Sequence, residues 1–168
     1  MLAAVLSDTH DHIMNVRGVL ALARERGAAL LIHCGDIVAP FMLRELAAFP
    51  GPVHLVFGNN DGDPLLLSRT AAALPNVTLH GLLGVVDVDG ARVAFTHTGE
   101  LARPLAASGQ FDAVFFGHSH AAETQWVGRC LLLNPGDVMG KDARPSFALY
   151  DSQDGTAETL VLDQAVGP

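Results

Sequence analysis

MLAAVLSDTHDHIMNVRGVLALARERGAALLIHCGD, residues 1–36, decides the fold. Ala3–Leu6 is a short apolar run around β-favouring Val5, and it breaks into Ser7-Asp8-Thr9-His10. Met14–Arg26 then sets Val16, Val19, Leu20 and Ala23 at helical spacing, with Gly27 as the stop signal. Ala29–His33 is a second apolar run, and it breaks into Cys34-Gly35-Asp36. Strand, helix and strand in this order form a βαβ unit, the connection that two parallel strands require.

Working outward, the pattern continues. Pro40–Phe49 reads as a helix with Pro at an allowed N-terminal position, Val53–Phe57 as a strand, and Pro64–Ala73 as a helix closed by Pro75. The first half therefore predicts a largely parallel sheet. The second half changes character. Leu82–Val88 and Ala91–Thr96 flank Asp89-Gly90, a strong hairpin signal. A short helix at Glu100–Ser108 is followed by strands at Ala113–Phe116, Glu123–Val127, Leu131–Leu133, Phe147–Asp151 and Thr159–Asp163. No repeat or composition shift marks a linker, so residues 1–168 are expected to form a single α/β domain, two packed sheets with helices outside.

Bulk properties narrow the function. The 168 residues are 49% apolar and 17% charged, with mean hydropathy +0.31. Such a chain buries a substantial core and is not disordered. No apolar run is long enough to cross a bilayer. The opening MLAAVLSDTH has no basic region and reads as a strand, not a signal peptide. Cys34 and Cys130 cannot build a disulfide framework, so a reducing cytoplasm is expected. Eighteen acidic residues against ten Lys and Arg give a net charge of −8, and no window is rich in bases. Long nucleic acids are thereby excluded as partners, because their binding rests on many basic contacts to phosphate. A phosphate ligand would need positive charge from elsewhere, and metal ions supply it.

The polar residues point the same way. Asp8 and His10 follow the first strand, Asp36 the second, and Gly58-Asn59-Asn60-Asp61-Gly62 the third. His97 closes the hairpin, and Gly117-His118-Ser119-His120 follows a very apolar strand. Five strands thus end in polar clusters at the rim where open α/β sheets bind ligands. Carboxylates, imidazoles and one carboxamide, with no thiolate, form an N/O donor set suited to Mn, Fe, Zn, Co or Ni. Asp8, His10, Asp36, Asn59, His97, His118 and His120 exceed the needs of one ion; two ions bridged by one carboxylate use all seven.

The order D-x-H, G-D, G-N-x-D, H, G-H-x-H resembles the calcineurin-like metallophosphoesterase superfamily. Ser7-Asp8-Thr9-His10-Asp11-His12, Ile32–Asp36, Gly58–Asp61 and Asn134-Pro135-Gly136 resemble its small prokaryotic phosphodiesterases, with the family of the retromer subunit Vps29 as a relative. The resemblance implies a four-layer α-β-β-α sandwich with two mixed sheets. It places Asp8, His10 and His120 on one metal, Asn59, His97 and His118 on the other, and Asp36 between them. Manganese is the first expectation, with iron, zinc, nickel or cobalt as alternatives. The implied reaction is hydrolysis of a small phosphodiester by a hydroxide bridging the ions, with Asp36, Asn59, Asn60 and His97 acting on the substrate. The alternative is a metal-binding scaffold of the Vps29 type. A homo-oligomer, dimer or tetramer, is compatible with the apolar content.

Two departures from the family pattern carry consequences. Asn60 stands where many members have His, and an amide cannot serve as a general acid. His12 is the nearest substitute acid. His97 is followed by Thr98-Gly99-Glu100, where the family more often has Gly-His directly. His33, His54 and His80 fit no motif and read as packed or surface side chains. Asp61 is expected to stabilise its loop or orient a ligand histidine. Lys141 and Arg144 read as solvent-facing, and Trp126 as core or a subunit contact.

Overall fold

The computed structural model describes residues 1–162. The first half runs β1 (Leu2–Leu6), α1 (Ile13–Glu25), β2 (Leu30–His33), α2 (Pro40–Leu46), β3 (Val53–Leu55), α3 (Pro64–Ala72) and β4 (Val77–Leu79). The second half runs β5 (Leu83–Val88), β6 (Ala91–Thr96), α4 (Gly99–Ala107), β7 (Ala113–Phe115), β8 (Glu123–Val127), β9 (Cys130–Asn134), β10 (Ser146–Asp151) and β11 (Thr156–Val161).

These strands form two mixed sheets, ordered β11-β10-β1-β2-β3-β4 and β5-β6-β7-β9-β8. Strands β1 to β4 are parallel, as are β6, β7 and β9. Side-chain alternation builds the layers. Ala3 and Val5 of β1 join Ile32, Phe95, Phe115 and Tyr150 between the sheets. Ala4 and Leu6 turn the other way, onto Val19, Leu43 and Leu31 under the helices. On the far side, Ala102 and Ala106 of α4 cover Ala94, Val114 and Leu132 of the second sheet. The result is the four-layer α-β-β-α sandwich. Strands covered on both faces have no polar side to show, so β1, β2 and β7 read as unbroken apolar runs.

The structure departs from the sequence reading in several places. β4 was not expected: Val77-Thr78-Leu79 stands between Asn76 and His80 and offers no apolar run of the kind that marks β3 and β7. It is fixed by register (Val53↔Val77) and by Asn76, whose amide donates to the carbonyls of Ala47, Phe49 and Gly51 at 3.2, 2.9 and 3.2 Å. β11 begins at Thr156, because a turn at Gly155 pairs that residue with Asp151; the expected end at Asp163 lies outside the described residues. α2 stops at Leu46, short of Phe49. Trp126 is 56% exposed on the edge strand β8, and so is not core. The Asp89-Gly90 turn is present, with φ of 55° and 88°. No described helix is long and apolar enough to cross a membrane.

Candidate metal centre

The loops after β1, β2, β3, β6 and β7 meet at one rim, where the two sheets face each other. Asp8 N donates to Gly35 O (3.0 Å) and His10 N to Asp36 O (3.1 Å), zipping the first two loops together. Asp61 binds the third: its carboxylate accepts from Ile37 N, Val38 N and Gly58 N at 2.6, 2.7 and 2.7 Å. It therefore staples loops, the first of the two roles expected of it. The second sheet joins through His118 N, which donates to Asp8 Oδ2 at 3.0 Å.

This convergence bends the backbone. Asp8, His10, Asp36, His118 and His120 have φ of 53°, 40°, 60°, 69° and 59°. L-residues rarely adopt this left-handed region, and such strain collects at functional sites. Two glycines leave the room. A Cβ on Gly58 would lie 2.1 Å from Asp36 Oδ1, and one on Gly117 would lie 1.8 Å from Ser7 Oγ and 2.6 Å from Asp8 Oδ2.

Proton placement decides which lone pairs face the pocket. His97 Nδ1 lies 2.8 Å from the carbonyl of Cys34, so it carries the hydrogen. The lone pair on Nε2 then faces Asn59 Oδ1 at 2.9 Å and Asp36 Oδ1 at 3.5 Å. His120 Nδ1 is fixed likewise by Asp137 Oδ2 at 3.1 Å, which turns its Nε2 toward Asp8 Oδ1 at 3.5 Å. His10 Nε2 lies 3.4 Å from Asp36 Oδ2 and 3.8 Å from Asp8 Oδ1. Asp8 Oδ1 and His10 Nε2 are buried without a hydrogen-bond partner. An orphaned buried polar atom costs about 1–3 kcal/mol. Electron-rich atoms turned on one another become favourable only around shared positive charge, and these N and O donors fit a divalent transition cation.

The donors fall into two groups. Asp8, His10 and His120 offer atoms within 4.8 Å of one another, as do Asp8, Asp36 and His97. Asp36 stands between the two sides, one oxygen toward His10 and the other toward His97. Asn59 touches His97, and the exposed His118 lies with its ring 5.1 Å from that of His97. Asn60 is exposed, yet its backbone N and its Nδ2 donate to Asp36 Oδ1 and Oδ2, each at 2.8 Å. Burial pushes the Asp8 carboxyl up from its ordinary pKa, against the pull of His97, His118 N and His120. Burial acts on Asp36 too, but the two bonds from Asn60, with His97 and His10, hold it below the usual range.

Other residues resolve as structural. His12 caps α1, its Nδ1 accepting from Asn15 N at 3.3 Å. His54 Nδ1 and His80 Nε2 pair at 2.9 Å. The residue that sequence reasoning missed is Asp137, 1% exposed, which fixes the ring of His120. Its one visible signal was its place directly after Asn134-Pro135-Gly136. An acidic residue there orients the His120 ring from behind.

His33 is fully buried beneath the loops. Gly35 N donates to its Nδ1 at 3.1 Å, so Nε2 carries the hydrogen and donates to Thr9 Oγ1 at 3.1 Å. That ring is held neutral, and desolvation pushes its pKa down to about 3. The unfolded chain, with His33 near 6.5, binds more protons below that pH. The contribution is therefore complete above pH 6.5 and is lost as pH falls toward 3, at about 1.4 kcal/mol per unit. Urea unfolding of chelator-treated protein at pH 7 and pH 5 should show this loss, and His33→Gln should remove that share of it. An equal loss in both proteins would contradict the assignment.

A family model described as the calcineurin-like phosphoesterase superfamily domain matches residues 1–155. The chain is 26% identical over 166 residues to the phosphodiesterase MJ0936 of Methanocaldococcus jannaschii, covering 97% of this chain and all of that one. A solved structure described as a novel archaeal phosphodiesterase superposes with TM-score 0.90 at 26% identity, over 96% of this chain and all of the other. Vps29 of Chaetomium thermophilum superposes with TM-score 0.68 at 18% identity, over 96% of both chains, a likeness of fold.

Proposed function

The chain belongs to the calcineurin-like phosphoesterase superfamily, and from that premise we propose that it is a phosphodiesterase that works with two divalent metal ions on small phosphodiesters. One observation carries the two-metal reading: Asp36 sits with its two oxygens turned toward imidazole nitrogens on opposite sides, 3.4 Å from His10 and 3.5 Å from His97. Asp8, His10 and His120 would hold one ion, and Asn59, His97 and His118 the other, with Asp36 between. Bound there, two cations would lower the pKa of water toward neutrality and offset charge on the phosphoryl oxygens. Manganese is the first choice for this donor set, with iron, zinc, nickel and cobalt behind it.

The protein's own part is orientation. Cys34 O and Asp137 set the tautomers of His97 and His120, so that both present Nε2 to the rim. Asn60 clamps the Asp36 carboxylate and keeps it ionised. That amide has no proton to give a leaving alkoxide, and His12 is tied through its Nδ1 to the start of α1. The fold likeness to Vps29 gives the scaffold alternative no observation of its own, whereas the complete donor set favours catalysis. Buried, unpaired Cys34 and Cys130 fit a cytoplasmic enzyme.

The test is release of p-nitrophenol from bis(p-nitrophenyl) phosphate. Activity should vanish with chelator and return with Mn²⁺; a rate indifferent to chelator, or no turnover with any of the five metals, would overturn the reading. Because general-acid help is worth about 10²–10⁴-fold, simple alkyl diesters should be cleaved at least ~10²-fold more slowly than aryl diesters. Equal rates along a leaving-group series would show that a proton donor exists after all.

A further inference from the structure

The Gly117–Ala121 loop forms a ridge with a cleft on each side, and Ser119 and Ala121 line both. On the His118 side lies a cleft of about 680 Å³, walled by Gly99, Glu100 and Arg103 of α4, with Phe116 and Glu123. On the His120 side lies one of about 480 Å³ that includes Asp137 and Asp142. Both volumes lie in the range of small-ligand clefts, about 300–1,000 Å³. A phosphoryl group held at the rim would thus have room for an organic arm on either side, as a diester requires and a monoester does not.

The larger cleft has a definite charge. Arg103 Nη2 donates to both oxygens of Glu123, at 3.1 and 2.9 Å. Gln125 Nε2 adds a third bond to Glu123 at 2.8 Å. The guanidinium also lies 5.7 Å over the ring of Phe116. Its charge is therefore already matched, and Glu100 at the lip leaves one net negative charge among these three side chains. Resting on the phosphodiesterase reading, we infer that this cleft holds one ester arm of the substrate, and that Glu100, Arg103 and Glu123 select a neutral or cationic arm, such as an amino alcohol, against an anionic one.

Two slowly cleaved diesters serve as probes, since their methyl arm demands nothing of either cleft: methyl phosphorylcholine, with a cationic arm, and methyl 2-carboxyethyl phosphate, with an anionic one. Each is measured as a competitive inhibitor of bis(p-nitrophenyl) phosphate hydrolysis by the metal-loaded enzyme. The cationic probe should bind about tenfold more tightly at low salt, and the ratio should shrink in 0.5 M NaCl. Glu123→Gln releases Arg103 and should move the ratio about tenfold toward the anionic probe; Arg103→Gln should move it the opposite way. Both positions are partly exposed, and thermal melting checks that each variant is folded. A ratio unchanged by both variants, in an enzyme that still hydrolyses the reporter, would overturn the cleft assignment alone. Absence of reporter hydrolysis with every metal would instead overturn the phosphodiesterase reading.

Discussion

Asp36→Asn should lower kcat for bis(p-nitrophenyl) phosphate by about 10³-fold or more, the scale on which loss of a key electrostatic contact acts in a water-excluded site. The substitution changes almost no volume. The bond from Asn60 N to Oδ1 can persist, while the Asn60 amide meets either a carbonyl or an opposing amide in place of a carboxylate oxygen. What disappears is the negative charge between His10 and His97. An amide oxygen can ligate one cation but cannot offset the repulsion of two. Metal content measured by mass spectrometry should therefore fall from two ions per chain to one or none, with the circular dichroism spectrum unchanged. A variant that keeps both ions and its rate would end the bridging assignment.

Gly117→Ala should be among the more damaging single methyl additions to the described residues. Its Cβ would overlap Ser7 Oγ and press on Asp8 Oδ2, and the packing around them leaves little room to retreat. Both residues are fully buried, and Asp8 is tied to His118 N. Overpacking of this kind costs about 1–3 kcal/mol, and more where backbone must shift. The Asp8 carboxylate would also be displaced from His10 and His120, so the ion held there should be lost along with most activity. Gly18→Ala in α1 is the control. Its added methyl would meet Leu162 at an ordinary 3.7 Å, and Ala favours helix by up to about 1 kcal/mol. Urea midpoints should move in opposite directions for the two variants. Equal midpoints would mean that the rim is softer than its contacts indicate.

Much of this architecture was legible because burial and period agree. β1, β2 and β7 sit under cover on both faces, so their apolar runs were visible, and each ended where polar residues began. β4 escaped because its three residues owe their strand conformation to β3 and to the carbonyls gathered by Asn76. A partner supplies that information, and a local window cannot. β11 slipped because the hairpin at Gly155, not apolar content, sets its start. At the rim, the candidate donors were readable as an ordered series of motifs. Asp137 was not, since its value lies in a 3.1 Å contact to a residue seventeen positions earlier. Nor was the role of Asn60, whose bonds to Asp36 come from loop geometry. The core half of the Trp126 reading failed because a large aromatic suggests interior, while β8 is an edge.

The rim draws Asp8, Asp36 and Asn59 from one sheet and His97, His118 and His120 from the other. A chain emerging from the ribosome N-terminus first therefore has no finished nest until residue 120 is free and β7 has docked. Truncated products would carry fewer than the full complement of donors, on loops with nothing opposite them. On the two-metal reading, capture of the full pair of ions would in this way be reserved for molecules whose translation has passed that point.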